Sequence, residues 1–195
     1  MPHRIAIFVS GTGSNARRMI EHFATHKEIE VALVLSNKAS AKALNMAAEH
    51  GVPTHVTSRS ELYTDAGILP ILDRHGITFI VLAGFLWLIP EYLVSAYAGR
   101  IVNIHPALLP KYGGKGMYGM HVHRAVAAAG ESESGISIHY VNAEYDEGAL
   151  IYQATCPVQA SDMPEDIAAR VLRLEHEHYP RVVERLLSGD THTLH

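Results

Sequence analysis

A single cysteine, Cys156, stands among 195 residues. That excludes an internal disulfide and leaves no thiolate set for a metal cluster, so a reducing cytoplasm is the simplest setting. Excess positive charge is missing too. With a formal net charge of -4, nothing calls for a nucleic-acid or membrane partner. No apolar run has the length of a bilayer-spanning helix. The start of the chain, to Gly11, has a basic residue and an apolar stretch but no cleavage pattern, and reads as structure rather than as a signal peptide. Linkers, internal repeats and low-complexity segments are lacking as well, which predicts one domain over 1–195.

What is present is 48% hydrophobic and 18% charged residues, the balance of a soluble globular protein with a sizeable core. Short apolar runs alternate with helical patterns. Arg4–Ser10, Ile29–Asn37, residues 53–57, Ile77–Phe85 and Ile101–His105 read as strands, the longest of them apolar throughout as buried parallel strands are. Between them, Ser14–Phe23, Ser40–Gly51, residues 58–76 (mostly helical) and a loop and helix over 86–99 read as crossovers. This rhythm predicts an α/β fold with a mainly parallel sheet covered on both faces. After residue 120 it changes: a helix, a half-buried alternating strand at Ser134–Val141, another strand at Ala149–Val158, and an amphipathic helix over about Pro164–Leu187. The two late strands predict an antiparallel pair added to the sheet.

The stretch Arg100–Gly116 carries the strongest chemical signal. Asn103 and His105 are two apart on a strand, so they leave it on the same side, and Pro106 and Pro110 end the regular structure after them. A neutral amide beside a titratable donor suits a site that stabilises a developing negative oxygen. Further on, Glu144, Asp146 and Glu147 sit between two strands. Most acidic turns are merely solvated, but a hairpin packed beside the fifth strand would bring Asp146 to His105, favour the imidazolium and raise the histidine pKa.

Gly11, Thr12, Gly13, Ser14 and Asn15 form a strand-to-helix turn that matches the dinucleotide fingerprint with Ala16 in the last place. The second strand ends Ser36-Asn37-Lys38 without the acid that holds a ribose, and no Gly-Lys-Ser/Thr makes a P-loop. A plain tight turn and a phosphate cradle both fit; Ser14 and Asn15 beside the glycines favour a monophosphate. His121 and His123 lie two apart, but with no third ligand in view they read as structural or substrate-facing rather than metal-binding. Trp87 is either a core aromatic or an apolar wall for a flat ring. The histidines of the tail Thr191–His195 read as part of a frayed polar end without function.

Taken together, Ser10–Asn15, Val34–Lys38, Val81–Phe85, Asn103–Gly116, the Asp-Glu-Gly of 146–148 and Leu174–Pro180 resemble the folate-dependent phosphoribosylglycinamide formyltransferases, over nearly the whole chain from Ile5 to about Leu187. The resemblance implies a three-layer, Rossmann-like formyltransferase fold. It implies 10-formyltetrahydrofolate as co-substrate, glycinamide ribonucleotide as acceptor, no metal, and a monomer or homodimer. Asn103, His105 and Asp146 would be catalytic, and Gly11, Thr12, Gly13, Ser14 and Asn15 would hold the substrate phosphate. Glu175 would touch the ribonucleotide. Arg59, Leu86, Trp87, Leu88, Ile89, Asn142, Ala143, Glu144 and Tyr145 would line the folate site. The segment 113–123 is longer than the proline-containing loop associated with the family, and Leu86–Ile89 stands where an Arg-containing segment is common, which predicts a more apolar folate wall. A formyltetrahydrofolate deformylase, which passes the same group to water, is the competing reading; a nicotinamide-dependent oxidoreductase built on the glycine turn is the rival from another class.

Overall fold

The structure, a computed structural model, describes residues 2–64 and 67–189; the tail histidines discussed above lie outside the described residues. Five strands pair in parallel in the order β3-β2-β1-β4-β5: β1 His3–Val9, β2 Ile29–Ser36, β3 Thr54–Val56, β4 Phe79–Leu82 and β5 Ile101–His105. β1 lies at the point where the order reverses, with β2 and β3 to one side and β4 and β5 to the other. Ile5, Ile7, Phe8, Leu33, Leu35 and Ile80 are fully buried on these strands. Such two-faced burial is why they read as continuous apolar runs rather than as alternating ones.

The helices of this part are α1 Ser14–Phe23, α2 Lys42–Glu49, α3 Arg59–Tyr63, α4 Leu69–Arg74 and α5 Glu91–Ala96. The mostly helical segment expected over 58–76 is in fact two short helices. Ser58 caps α3 by accepting the Glu61 amide, but Thr64 is already extended, and a fresh start at Leu69-Pro70 begins α4. β4 is also shorter than the apolar run around it, because ladder pairing covers only Phe79–Leu82.

Packing divides the chain into two units, Met1–Asn103 and Ile104–His195. The second holds α6 Met120–Ala128, the antiparallel pair β6 Glu133–Tyr140 and β7 Leu150–Pro157, and the long α7 Pro164–Ser188. The expected fold class therefore holds: mainly parallel α/β with an antiparallel C-terminal pair. One detail is corrected. β6 is not half-buried; Ser134 to His139 are all buried. α7 packs on β6, while the segment after β5 is tied to it: the Ser137 hydroxyl donates to the Ala107 carbonyl at 2.7 Å and accepts the Leu109 amide at 2.9 Å. Ser137 and His139 are polar residues on a buried strand, and each has a partner.

Candidate active site

The glycine turn begins at the carboxyl end of β1, at the switch point of the parallel strands, where open α/β sheets bind ligands. The helix starts at Ser14 as expected, and Gly13 is the N-cap residue before it. Gly13 is left-handed at φ 78°, and a Cβ there would lie 2.5 Å from the Cβ of Ala43, so only glycine fits. α1 has no side-chain cap and no acidic residue in its first turn. Its first amides therefore face outward with the positive end of the helix dipole, an arrangement that suits an anion. Ser10 braces the turn: its hydroxyl donates to Asn37 Oδ1 at 2.7 Å and accepts the Leu86 amide at 3.0 Å.

Within the same unit, the side chains expected at the folate lie on two elements. The Arg59 guanidinium stacks 5.0 Å from the Trp87 ring and 6.0 Å from Tyr63, whose hydroxyl donates to the Leu88 carbonyl. Leu86 is exposed, Trp87 and Leu88 are half-buried, and Ile89 is buried, its side chain part of the core rather than of an open wall. Asn103 is the one half-exposed residue of β5, whose other four are buried.

The second unit brings the acid-base groups together. His105 and His139 are 3% and 2% exposed, and Asp146 lies between them. One carboxylate oxygen is 3.5 Å from His105 Nδ1 and the other 3.5 Å from His139 Nε2. The far nitrogen of each ring faces a backbone carbonyl: His105 Nε2 is 2.7 Å from that of Tyr112, and His139 Nδ1 is 2.8 Å from that of Tyr140. Each imidazole thus has an acceptor at both nitrogens. The Gly114 amide donates to Asp146 Oδ2 at 3.0 Å. Tyr112 and Asp146 are the two non-glycine residues with positive φ among those described, both at 57°. Such backbone strain is held only where the surroundings enforce it, and here it flanks one imidazole on both sides.

Burial pushes the His105 pKa below its ordinary value, against the pull of the Asp146 carboxylate and of the Tyr112 carbonyl. This corrects the sequence expectation of a raised value: the pairing was foreseen, but the desolvation of a ring this deep outweighs it. Burial also works on Asp146, in the direction of protonation, yet the His139 hydrogen bond, the His105 charge and the Gly114 amide together hold its carboxyl below the usual range. His123 is buried on α6, lowered by burial and then by His105, and its Nδ1 has no hydrogen-bond partner among the described residues. His121 is exposed, edge-on to Tyr118. No group of three or more His, Cys, Asp or Glu that could hold a metal occurs among the described residues.

The loop of 142–146 is only partly ordered by itself, through the Glu144 amide bound to Asn142 Oδ1 at 3.0 Å; Ala143 and Glu144 are exposed, Asn142 and Tyr145 half-buried. Glu175 is half-buried on α7, one turn before the fully buried Tyr179. Sequence reasoning missed His139 and the backbone groups of Tyr112 and Gly114. His139 was detectable: it and Ser137 are polar residues two apart on one side of β6, alternating with Ile136 and Ile138 on the other.

Comparison with known proteins identifies the family. Residues 3–183 match the formyl transferase family. A phosphoribosylglycinamide formyltransferase of Arabidopsis thaliana chloroplasts is 42% identical over 186 residues, covering 92% of this chain; the chain spans 64% of that relative's length. The Escherichia coli protein of that name is 40% identical, over 95% of this chain and 87% of its own. A solved phosphoribosylglycinamide formyltransferase structure from Coxiella burnetii superposes with a TM-score of 0.87 at 37% identity, covering 97% of this chain and 89% of that one. By sequence and by fold, this chain belongs to the formyl transferase family.

Proposed function

We propose that this protein transfers the formyl group of 10-formyltetrahydrofolate to the amine of 5'-phosphoribosylglycinamide, a step of purine biosynthesis. The observation that carries the reading is the half-buried Asp146 carboxylate between two carbonyl-tethered imidazoles in a chain of this family. The amine nitrogen attacks the formyl carbon and forms a C–N bond, leaving a tetrahedral carbon with an oxyanion. Asn103 and protonated His105 donate hydrogen bonds to that oxygen. The bond to the folate nitrogen then breaks, and the proton lost by the amine passes to the departing nitrogen, by way of a water ordered at Asp146.

The depressed His105 pKa serves this sequence. A protonated ring whose pKa is lowered is the stronger hydrogen-bond donor, and its bond to the formyl oxygen strengthens as charge develops there, so its stabilisation grows toward the transition state, which is what raises turnover. Losing one such donor costs on the order of 3 kcal/mol, roughly a hundred-fold or more in rate. Alignment of the two substrates supplies much of the remaining acceleration. The chemistry as written needs neither a metal nor a covalent formyl-enzyme.

In this reading Gly11, Thr12, Gly13, Ser14 and Asn15 take the ribonucleotide phosphate and Glu175 its glycinamide end. Arg59, Leu86, Trp87, Leu88, Ile89, Asn142, Ala143, Glu144 and Tyr145 serve the folate. Residues 1–195 act as one catalytic domain, as a monomer or homodimer in the cytoplasm. The deformylase alternative uses the same groups with water as acceptor. Incubation with 10-formyltetrahydrofolate, with and without glycinamide ribonucleotide, decides between them: acceptor-dependent loss of the formyl group is expected, and rapid formate release without acceptor would overturn the transferase. The oxidoreductase rival is met by an NAD(H) binding titration, for which no binding is expected, since β2 ends in Ser36-Asn37 without a ribose-binding acid.

A further inference from the structure

The turn Tyr112–Gly114 grips both members of the His105–Asp146 pair. The Tyr112 carbonyl receives His105 Nε2, and the Gly114 amide donates to the Asp146 carboxylate. Gly113 between them passes so close that a Cβ would lie 2.5 Å from Leu109 Cδ2 and 3.4 Å from the Asp146 Cβ. Nothing in the regular structure enforces this turn, and its first residue is a tyrosine held at φ 57°. For a bulky residue that conformation is disfavoured, so something must hold it.

The tyrosine ring supplies the hold. Its hydroxyl donates to Glu131 Oε1 at 2.8 Å, and the same oxygen accepts from Lys111 Nζ at 2.8 Å. Glu131 follows α6, so the anchor lies outside the turn that it steadies. The Lys111 and Tyr112 hydrogen bonds keep the Glu131 carboxyl ionised, while Glu131 keeps the Tyr112 phenol protonated, so donor and acceptor roles are fixed.

We propose that Tyr112 is a positioning residue: its hydroxyl, anchored on Glu131, locks the left-handed turn whose carbonyl fixes the orientation and proton affinity of His105. This deepens the function proposed above, since it concerns the same histidine. The charged and titratable groups facing His105 are Asp146 from the β6–β7 loop, His139 from β6 and His123 from α6; altering Tyr112 replaces none of them, and reaches Asp146 through the Gly114 amide of the same turn.

The test reads His105 directly, from the pH titration of its imidazole nitrogens by NMR, with its signals identified by their loss in His105→Asn. Tyr112→Phe loosens the carbonyl that favours the protonated ring, so the His105 midpoint moves to lower pH. Turnover falls roughly 3- to 10-fold, the scale of one hydrogen bond, with KM changing less than kcat. Glu131→Ala reproduces both effects, and Glu131→Gln, whose amide oxygen still accepts from the phenol, restores most of both. An unmoved His105 titration in Tyr112→Phe, even with a lowered Tm, would mark a merely structural tyrosine and overturn the inference. Equal losses in Glu131→Gln and Glu131→Ala would overturn it too. Because the readout is the imidazole itself, a protein without formyl-transfer activity would defeat the proposed function and leave this inference standing.

Discussion

In the proposed reaction Asp146 sets the charge of the site, and its replacement gives the sharpest test. In Asp146→Asn the amide keeps the shape and tolerates the left-handed backbone, but the charge that draws a proton onto His105 is gone. With that pull removed, only the Tyr112 carbonyl opposes burial, and the His105 limb of the kcat/KM profile moves to lower pH. Activity at neutral pH falls on the order of a hundred-fold, as for loss of one electrostatic stabiliser. A profile identical to that of the parent would sever the coupling. Asn103→Ala and His105→Ala are expected to lose a similar factor while still folding, measured with both substrates saturating. The approach of Asp146 to His105 was legible in the sequence because a hairpin packed beside the fifth strand would bring its acidic turn to that ring. The second imidazole, His139, was not singled out because it sits inside an apolar strand. The Tyr112 carbonyl could not be read at all, since it depends on a backbone conformation that tyrosine rarely adopts.

At the scale of elements, β6 and the segment after β5 form one hydrogen-bonded assembly. The Ser137 hydroxyl donates to Ala107 and accepts both from the Leu109 amide and from Gln153 Nε2, the last at 2.8 Å. Ser137→Ala leaves those groups short of a partner in a buried place, and a loss of about 1–3 kcal/mol is expected in urea or thermal unfolding. The glycine turn before α1 makes a second test. Gly13→Ala forces a Cβ against Ala43 from a left-handed backbone, so stability should fall by about 1–3 kcal/mol and inhibition by inorganic phosphate, if the turn binds it, should weaken. Unchanged Tm in both variants would contradict this packing account. The βαβ rhythm made most elements readable within a few residues, because apolar runs and helical spacing are local signals. The break between α3 and α4 was missed for the opposite reason: a continuous helical composition conceals a restart that only the Ser58 cap and Pro70 announce.

For the whole molecule, acidity is the condition to which stability should respond first. His105 and His123 both have pKa values held below 6.5 in the folded chain, chiefly by burial. The unfolded chain therefore binds more protons, so their contribution is fully present above about pH 6.5 and is lost as pH falls toward the folded values. Asp146, held below 3.8, adds a second loss only under much stronger acid. Denaturation midpoints measured across pH 7.5 to 5 should decline, and less steeply in His123→Phe; a flat dependence would show that these rings are not buried as described. The parallel sheet and its antiparallel C-terminal pair were foreseen from sequence, whereas the depth of His105 was not, because burial is a property of the assembled chain rather than of any stretch of it.

The left-handed backbone at Asp146 has a consequence for what can replace it. Glutamate would keep the negative charge but lacks the short polar side chain that makes this conformation tolerable. Asparagine would accept the geometry and lose the charge, and glycine would relieve the backbone and lose the group altogether. Two independent demands, one conformational and one electrostatic, thus intersect at a single amino acid. A library saturating this codon and selected for turnover should return aspartate almost alone.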